Sequence, residues 1–240
     1  MKLHLFSYRY ALEILEHPRF AALWGEIKTV LAATPVPLFA NKSVKQPALD
    51  VVQQVMNAYY DVEFSVARGW AFHPTATRIQ GSGLAADFRK GPETDAVQME
   101  VQFGNMARWY SDIFKLQAAY SQKLAAIGVS VVPMFSLAKR IDGNVVNFER
   151  AKRELPSADL SITLPIILIG LEADETSSTV DLRTTSFQIG QITRIASNCY
   201  RIVNAIRTGQ SLAGLSDGAI TGPIPAAEVH EEPAENNEDA

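Results

Sequence analysis

The segment Val97-Gln98-Met99-Glu100-Val101-Gln102-Phe103-Gly104-Asn105 decides how the rest of the chain is read. Val97, Met99, Val101 and Phe103 alternate strictly with Gln98, Glu100 and Gln102. That is the period of a half-buried β-strand, in which successive side chains point to opposite faces. Glu100 and Gln102 therefore point the same way, with Cα atoms roughly 6.6 Å apart at a rise of about 3.3 Å per residue. Two such side chains can converge on one ion or one water. Upstream, Leu84-Ala85-Ala86-Asp87-Phe88 reads as a neighbouring strand, joined through the turn-rich Lys90-Gly91-Pro92-Glu93-Thr94-Asp95.

A hairpin with Asp87 on one strand and Glu100 plus the Val101 carbonyl on the next offers only oxygen donors. Mg²⁺ prefers carboxylate and carbonyl oxygens at about 2.1 Å and keeps several waters. Such an ion can polarise a phosphodiester and activate a water. An ordinary solvent-facing strand edge carries the same Glu-x-Gln pattern, so the motif by itself leaves both readings open.

Working outward, Trp109, Ile113, Leu116, Tyr120 and Leu124 recur at helical spacing, and Gly128 stops that helix before a strand at 129–133. Strand, helix, strand in this order implies a crossover and a parallel or mixed sheet. Residues 164–171 are apolar on both faces and read as a further buried strand. On the N-terminal side, Phe20, Leu23, Trp24, Ile27 and Leu31 mark one buried helix, and Val52, Val55, Met56 and Tyr59 a second. Short β-like pieces fall near 63–66 and 70–72. The predicted architecture is an α/β fold, an α/β/α sandwich around a central mixed sheet.

The stretch 97–120, with Trp109-Tyr110-Ser111-Asp112-Ile113-Phe114-Lys115 after the strand, resembles the active-site strand and following helix of the BglII/BstYI type II restriction endonucleases. Gly128 to Met134 and Pro165 to Gly170 are similar to that family's later strands, and residues 7–31 to its opening helices. The resemblance covers most of residues 1–172. It implies a variant of the PD-(D/E)xK nuclease site in which Asp87, Glu100 and Gln102 are catalytic, Gln102 standing where Lys is usual. Asp87, Glu100 and Val101 would ligate Mg²⁺. The thirteen positions from Asp87 to Glu100 make a turn about four residues longer than the family's, an extension that hairpins tolerate because closure cost grows slowly with length. Asp95 is the rival upstream ligand, but it lies too close to Glu100 for a separate strand to fold back.

With 240 residues, of which 47% are hydrophobic, the chain can bury a substantial core. A single nuclease domain over 1–213 is expected, with the catalytic core at about 84–172. The apolar run 164–171 is far short of the ~18 residues of a membrane span, and the first ten residues break too early for a signal-peptide core. A cytoplasmic protein is expected. The lone Cys199 excludes an internal disulfide and a thiolate zinc site. The net charge is −4, yet the tail beyond 226 carries Glu228, Glu231, Glu232, Glu235, Glu238 and Asp239 and no Lys or Arg, so the body is weakly positive. Residues 214–240 are Gly-, Pro- and acid-rich and are expected to be disordered.

Candidate DNA contacts come from two places. Residues 138–157 carry Lys139 and Arg140 in a polar stretch that reads either as a solvated loop or as a cleft wall. From Ser186, Ile192, Ile195, Cys199, Ile202, Val203 and Ile206 mark an amphipathic helix whose opposite stripe is Gln191, Arg194, Asn198 and Arg201, preceded by Arg183. Arg, Asn and Gln can read purine edges, and Arg also holds phosphate. A solvated helix face has the same composition. The four histidines form no ligand pattern, Gly209 to Ala213 misses the nucleophile elbow, and no Walker A motif occurs.

The expected activity is Mg²⁺-dependent hydrolysis of double-stranded DNA at a short palindrome by a homodimer. The resemblance adds a GATC-centred site and a cognate DNA methyltransferase as functional partner. Alternatives are a repair or structure-specific nuclease on the same fold, and a catalytically silent DNA-binding or assembly protein.

Overall fold

The computed structural model describes residues 1–159, 161–215 and 222–223. Its order begins with strand β1 (Lys2–Tyr8), helices α1 (Ala11–Glu16) and α2 (Ala21–Ala32), strand β2 (Val36–Leu38) and helix α3 (Gln53–Tyr60), which runs into a π-helical turn at Asp61–Val66. Strands β3 (Ala71–Phe72), β4 (Phe88–Lys90) and β5 (Val97–Val101) follow, then helix α4 (Met106–Ser121) and strand β6 (Ile127–Pro133). Helices α5 (Phe135–Ile141) and α6 (Phe148–Glu154) lead to β7 (Ile166–Glu172), β8 (Thr179–Asp181), α7 (Ile189–Arg194) and α8 (Ala196–Thr208).

The six-stranded sheet has the order β1-β7-β6-β5-β4-β3. β5, β6 and β7 are parallel, as crossovers through helices require, and β1, β3 and β4 add antiparallel edges. Val97, Met99, Val129, Val131, Ile167 and Ile169 pack on one face with α2, α3 and α8. Leu168, Val132 and Ile166 pack on the other with Trp109, Ile113 and Leu116 of α4 and with Phe148 and Ala151 of α6. Helices thus cover both faces of a mixed sheet, an α/β/α sandwich. Among the described residues no helix is long and apolar enough to cross a membrane.

Several expectations differ from this arrangement. The N-terminus enters as an edge strand, residues 2–8 pairing antiparallel with β7, so the opening helices begin only at Ala11. Residues 61–66 are π-helical because they continue α3. The stretch 138–157 is no open loop: Leu137, Ala138 and Ile141 of α5, and Phe148 and Ala151 of α6, face the core while Lys139, Lys152 and Arg153 point out. The long helix expected after Ser186 is two, because Ile195 leaves helical geometry at φ −118, ψ 98. The tail lies, apart from residues 214, 215, 222 and 223, outside the described residues.

Candidate active site

The site forms where the β4–β5 ladder ends. Phe88 pairs with Met99, so Asp87 and Glu100 are the next residues in register, at the point where β4 has not yet begun. The Val101 N–H donates instead to the Asp87 carboxylate, at 2.7 Å to Oδ2. The Asp87 carbonyl turns the other way and accepts from the His73 N–H at 3.0 Å. The hairpin is closed by a tight turn in which Gly91 has φ +110, and a Cβ there would lie 3.0 Å from the Asp95 carbonyl oxygen. Asp95 itself is ion-paired with Arg19, in the connection between α1 and α2. The strand register and this pairing place Asp87, not Asp95, beside Glu100.

The alternation of β5 marks two faces, but neither meets water. Gln98 and Glu100 are fully buried, since α4 lies over their face. The Gln98 amide donates to the Lys115 carbonyl, and the Lys115 ammonium donates to Glu100 Oε2 at 2.6 Å and pairs with Asp112 Oδ1 at 2.9 Å. Glu100 Oε1 is buried and has no hydrogen-bond partner. Gln102 folds back on its own strand end: Nε2 donates to Asp112 Oδ2 at 2.5 Å, and Oε1 accepts from the Gly104 N–H at 2.7 Å. A Cβ at Gly104 would come within 2.6 Å of that Oε1, so this contact needs a glycine.

On the other side of the hairpin a cavity of about 200 Å³ is lined by Asn57, Asp61, His73, Asp87 and Val101, with Tyr60 and Phe88. Asp61 sits at the start of the π-helical turn and accepts from the Tyr200 hydroxyl of α8 at 2.9 Å. His73 holds a left-handed backbone, φ 50, and stacks on Phe72. A larger cavity of about 510 Å³ lies away from these groups, between α5 and residues 46–49. Its lining includes Lys139 but no acidic pair like that of the hairpin.

Burial dominates the electrostatics. It pushes the Asp87 carboxyl up to about 6, against the opposing effects of the Val101 N–H and the Lys115 charge. It raises Glu100 well above the usual carboxylate range, with Asp87 adding to the rise. Asp61 is pushed up to about 7, again chiefly by burial and further by Asp87, with the Tyr200 hydroxyl opposing. The Lys115 ammonium is held above its usual range by Glu100 and Asp112, which outweigh its own burial. His73 is lowered by burial and by Lys115.

These shifts set a stability profile. In the unfolded chain Asp61 and Asp87 titrate near 3.8, below their folded values. The folded state therefore binds their protons more tightly, and this contribution is complete below about pH 4 and lost as pH rises through 6 to 7. At about 1.4 kcal/mol per unit, the metal-free protein should lose on the order of a few kcal/mol between pH 5 and pH 8. Thermal melting in a chelator should show that decline. Asp61→Asn, which removes the larger shift, should flatten it, and an unchanged slope would contradict the assignment.

The donor set fits a hard divalent cation: two carboxylates facing across an opened hairpin, one oxygen of Glu100 with no partner, and the neighbouring Val101 backbone. Among the described residues no three His, Cys, Asp or Glu side chains form a ready-made cage.

The proposed DNA contacts separate into two groups. Lys139, Arg183, Gln191 and Arg194 are exposed, although Arg183 is also held by Asp181. Arg140 makes a two-point contact with Asp50. Asn198 and Arg201 are buried, and the Asn198 amide donates to the Gln191 carbonyl. The break at Ile195 turns α8 so that their side of the helix packs inward, and the stripe expected on one continuous helix does not form. Sequence reasoning did not single out Asp61, His73 or Lys115, whose nearness to the hairpin arises only from packing.

No curated protein sequence matches the chain. A crystal structure of restriction endonuclease BglII complexed with a DNA 16-mer is similar over 74% of this chain and 81% of that one, at 21% identity and TM-score 0.59. A crystal structure of free BglII is similar over 74% and 82%, at 22% identity and TM-score 0.51. These likenesses define the fold as restriction-endonuclease-like. The family described as restriction endonuclease BglII/BglIII matches residues 3–171, and the chain belongs to that family. It is a type II restriction endonuclease.

Proposed function

We propose that the protein cuts double-stranded DNA at a short palindrome as a Mg²⁺-dependent homodimer, with Asp87 and Glu100 as ligands and the Val101 carbonyl completing the protein's share. The observation that carries this reading is the opened end of the β4–β5 ladder. There the half-buried Asp87 and the fully buried Glu100 stand in register, and one Glu100 oxygen has no partner. A divalent ion held there would polarise a phosphodiester oxygen and lower the pKa of water. The chain's own groups orient and exclude: the Val101 N–H fixes Asp87, α4 shuts solvent away from Glu100, and Gln102 ties Asp112 to the strand end. Gln102 is neutral and cannot take a proton, so its part is to orient.

Cutting both strands with one such site per chain calls for two copies facing opposite strands, and a two-fold dimer mirrors a palindrome. An apolar strip suits this: Tyr110 and Phe114, one turn apart on α4, remain 47% and 60% exposed. The GATC centre and the cognate methyltransferase rest on the family alone, a methyltransferase being needed because an unchecked site-specific nuclease cuts its own host. The DNA 16-mer bound by the similar BglII structure supports DNA as the substrate class. Sequencing the ends of digested DNA tests the reading in parts. Palindromic sites with four-base 5′ overhangs and a GATC centre are expected. Palindromes without GATC would remove the family inference, and reproducible asymmetric sites would remove the symmetric dimer.

The exposed and buried residues of the C-terminal helices should behave differently. Arg194→Ala should weaken DNA binding and reduce the slope of log affinity against log salt by about 1 if it meets a phosphate. Arg201→Ala should lower the melting temperature instead, because it empties a buried position. Equal effects of the two on salt slope in binding titrations would contradict this division.

A further inference from the structure

We infer that Lys115 is a positioning residue of the cleavage site, supplying from α4 the cation that holds Glu100 in place for the metal; the inference rests on the nuclease reading above. Lys115 is deeply placed, its side chain 13% exposed against 0% for Glu100 and 8% for Asp112. An ammonium so withdrawn from water is costly unless it is paired and hydrogen-bonded. Here it spans two carboxylates, donating to Glu100 Oε2 at 2.6 Å and facing Asp112 Oδ1 at 2.9 Å. By engaging Oε2 it fixes the Glu100 carboxylate and leaves Oε1, buried and without a partner, as the oxygen available to an ion.

The same contacts show why the task falls to the helix. Gln102, the strand residue on the Glu100 face, is neutral, and both ends of its amide are committed, to Asp112 and to the Gly104 N–H. Asp112 is thereby shared, one oxygen bound to Gln102 and the other paired with Lys115. One ammonium against Asp87, Glu100 and Asp112 leaves an excess of negative charge suited to a divalent ion. Lys115 thus opposes metal entry by charge while it orients the ligand by hydrogen bonding, and these two roles can be separated.

The full-length protein and its Lys115→Met, Lys115→Gln and Lys115→Arg variants would be compared at pH 8. Mn²⁺ binding without DNA would be followed by electron paramagnetic resonance, and DNA cutting by single-turnover cleavage. Losing the ammonium should tighten Mn²⁺ binding roughly tenfold, by removing repulsion a few ångströms from a dication. It should slow cleavage roughly a hundredfold, the scale of effect for a misplaced catalytic group. Both neutral variants should show this opposed pair of changes, and Lys115→Arg, which keeps a cationic donor, should recover most of the cleavage rate. Should Lys115→Met not fold, the Gln and Arg variants carry the comparison. Cleavage at the wild-type rate in the neutral variants would overturn the inference, as would weaker Mn²⁺ binding together with slower cleavage, the mark of a mere strut. A wild-type protein that binds Mn²⁺ but cuts no DNA would instead overturn the nuclease reading, and tighter Mn²⁺ binding by the variants would still locate Lys115 at the ion.

Discussion

Replacing Asp87 by Asn or Glu100 by Gln is expected to abolish cleavage while leaving DNA binding nearly intact. Each change removes a ligand charge and keeps the side chain's shape, and an Asn oxygen at 87 can still accept from the Val101 N–H, which lies 2.7 Å from the native carboxylate. A loss of three or more orders of magnitude in single-turnover rate, about 4 kcal/mol in barrier, would follow from losing either ligand. Asp95→Asn should cut at the wild-type rate, because Asp95 is paired with Arg19 and lies outside the hairpin's open end. An inactive Asp95 variant beside an active Asp87 variant, in the same cleavage and gel-shift series, would show that the strand register at the site is other than described.

The largest effect on stability is expected at Trp109. The indole is 1% exposed and its Nε1–H donates to Ser130 Oγ at 3.1 Å. Ser130 is the β6 residue paired with Glu100, so this one side chain fastens α4 to the sheet directly beside the site. Trp109→Ala empties a large buried volume and should cost about 3–5 kcal/mol. Trp109→Phe keeps much of the packing and loses the hydrogen bond, for roughly 1–2 kcal/mol with Ser130 left unpaired. Denaturant titrations of the two variants give the comparison, and cleavage by Trp109→Ala should fall even where the protein remains folded, since α4 carries Lys115 and Asp112. A Trp109→Ala protein as stable as wild type would contradict the packing.

The strand–helix–strand unit was legible because its signals are local. The alternation through Val101 and the helical spacing of Trp109, Ile113 and Leu116 needed no knowledge of the rest of the fold, and β5 and α4 stand where these patterns put them, although α4 ends at Ser121, and Gly128, expected to stop it, lies inside β6 and pairs with Ile166. What the alternation could not tell was whether the polar face meets water or a polar helix underside. Glu100 looks the same in sequence either way, and the structure buries it. Lys115 was invisible for a related reason: the Glu100 to Lys115 pair is made by the crossover, not by any spacing. The helices α5 and α6 were obscured because each is barely two turns long, and in α6 the two buried residues, Phe148 and Ala151, are outnumbered by charges. The break at Ile195 carries no Gly or Pro to announce it, so a continuous stripe was expected where Asn198 and Arg201 in fact pack inward. The edge strand at residues 2–8 was missed because its pairing partner lies more than 150 residues away.

The central claim, a metal-dependent site-specific double-strand nuclease built on Asp87 and Glu100, is tested most directly by incubating a supercoiled plasmid with the full-length protein, with Mg²⁺ and with a chelator in its place. A reproducible set of discrete linear fragments with Mg²⁺, absent with the chelator and absent with Glu100→Gln, is the expected result. Random nicking, or plasmid left intact under all conditions, would contradict it.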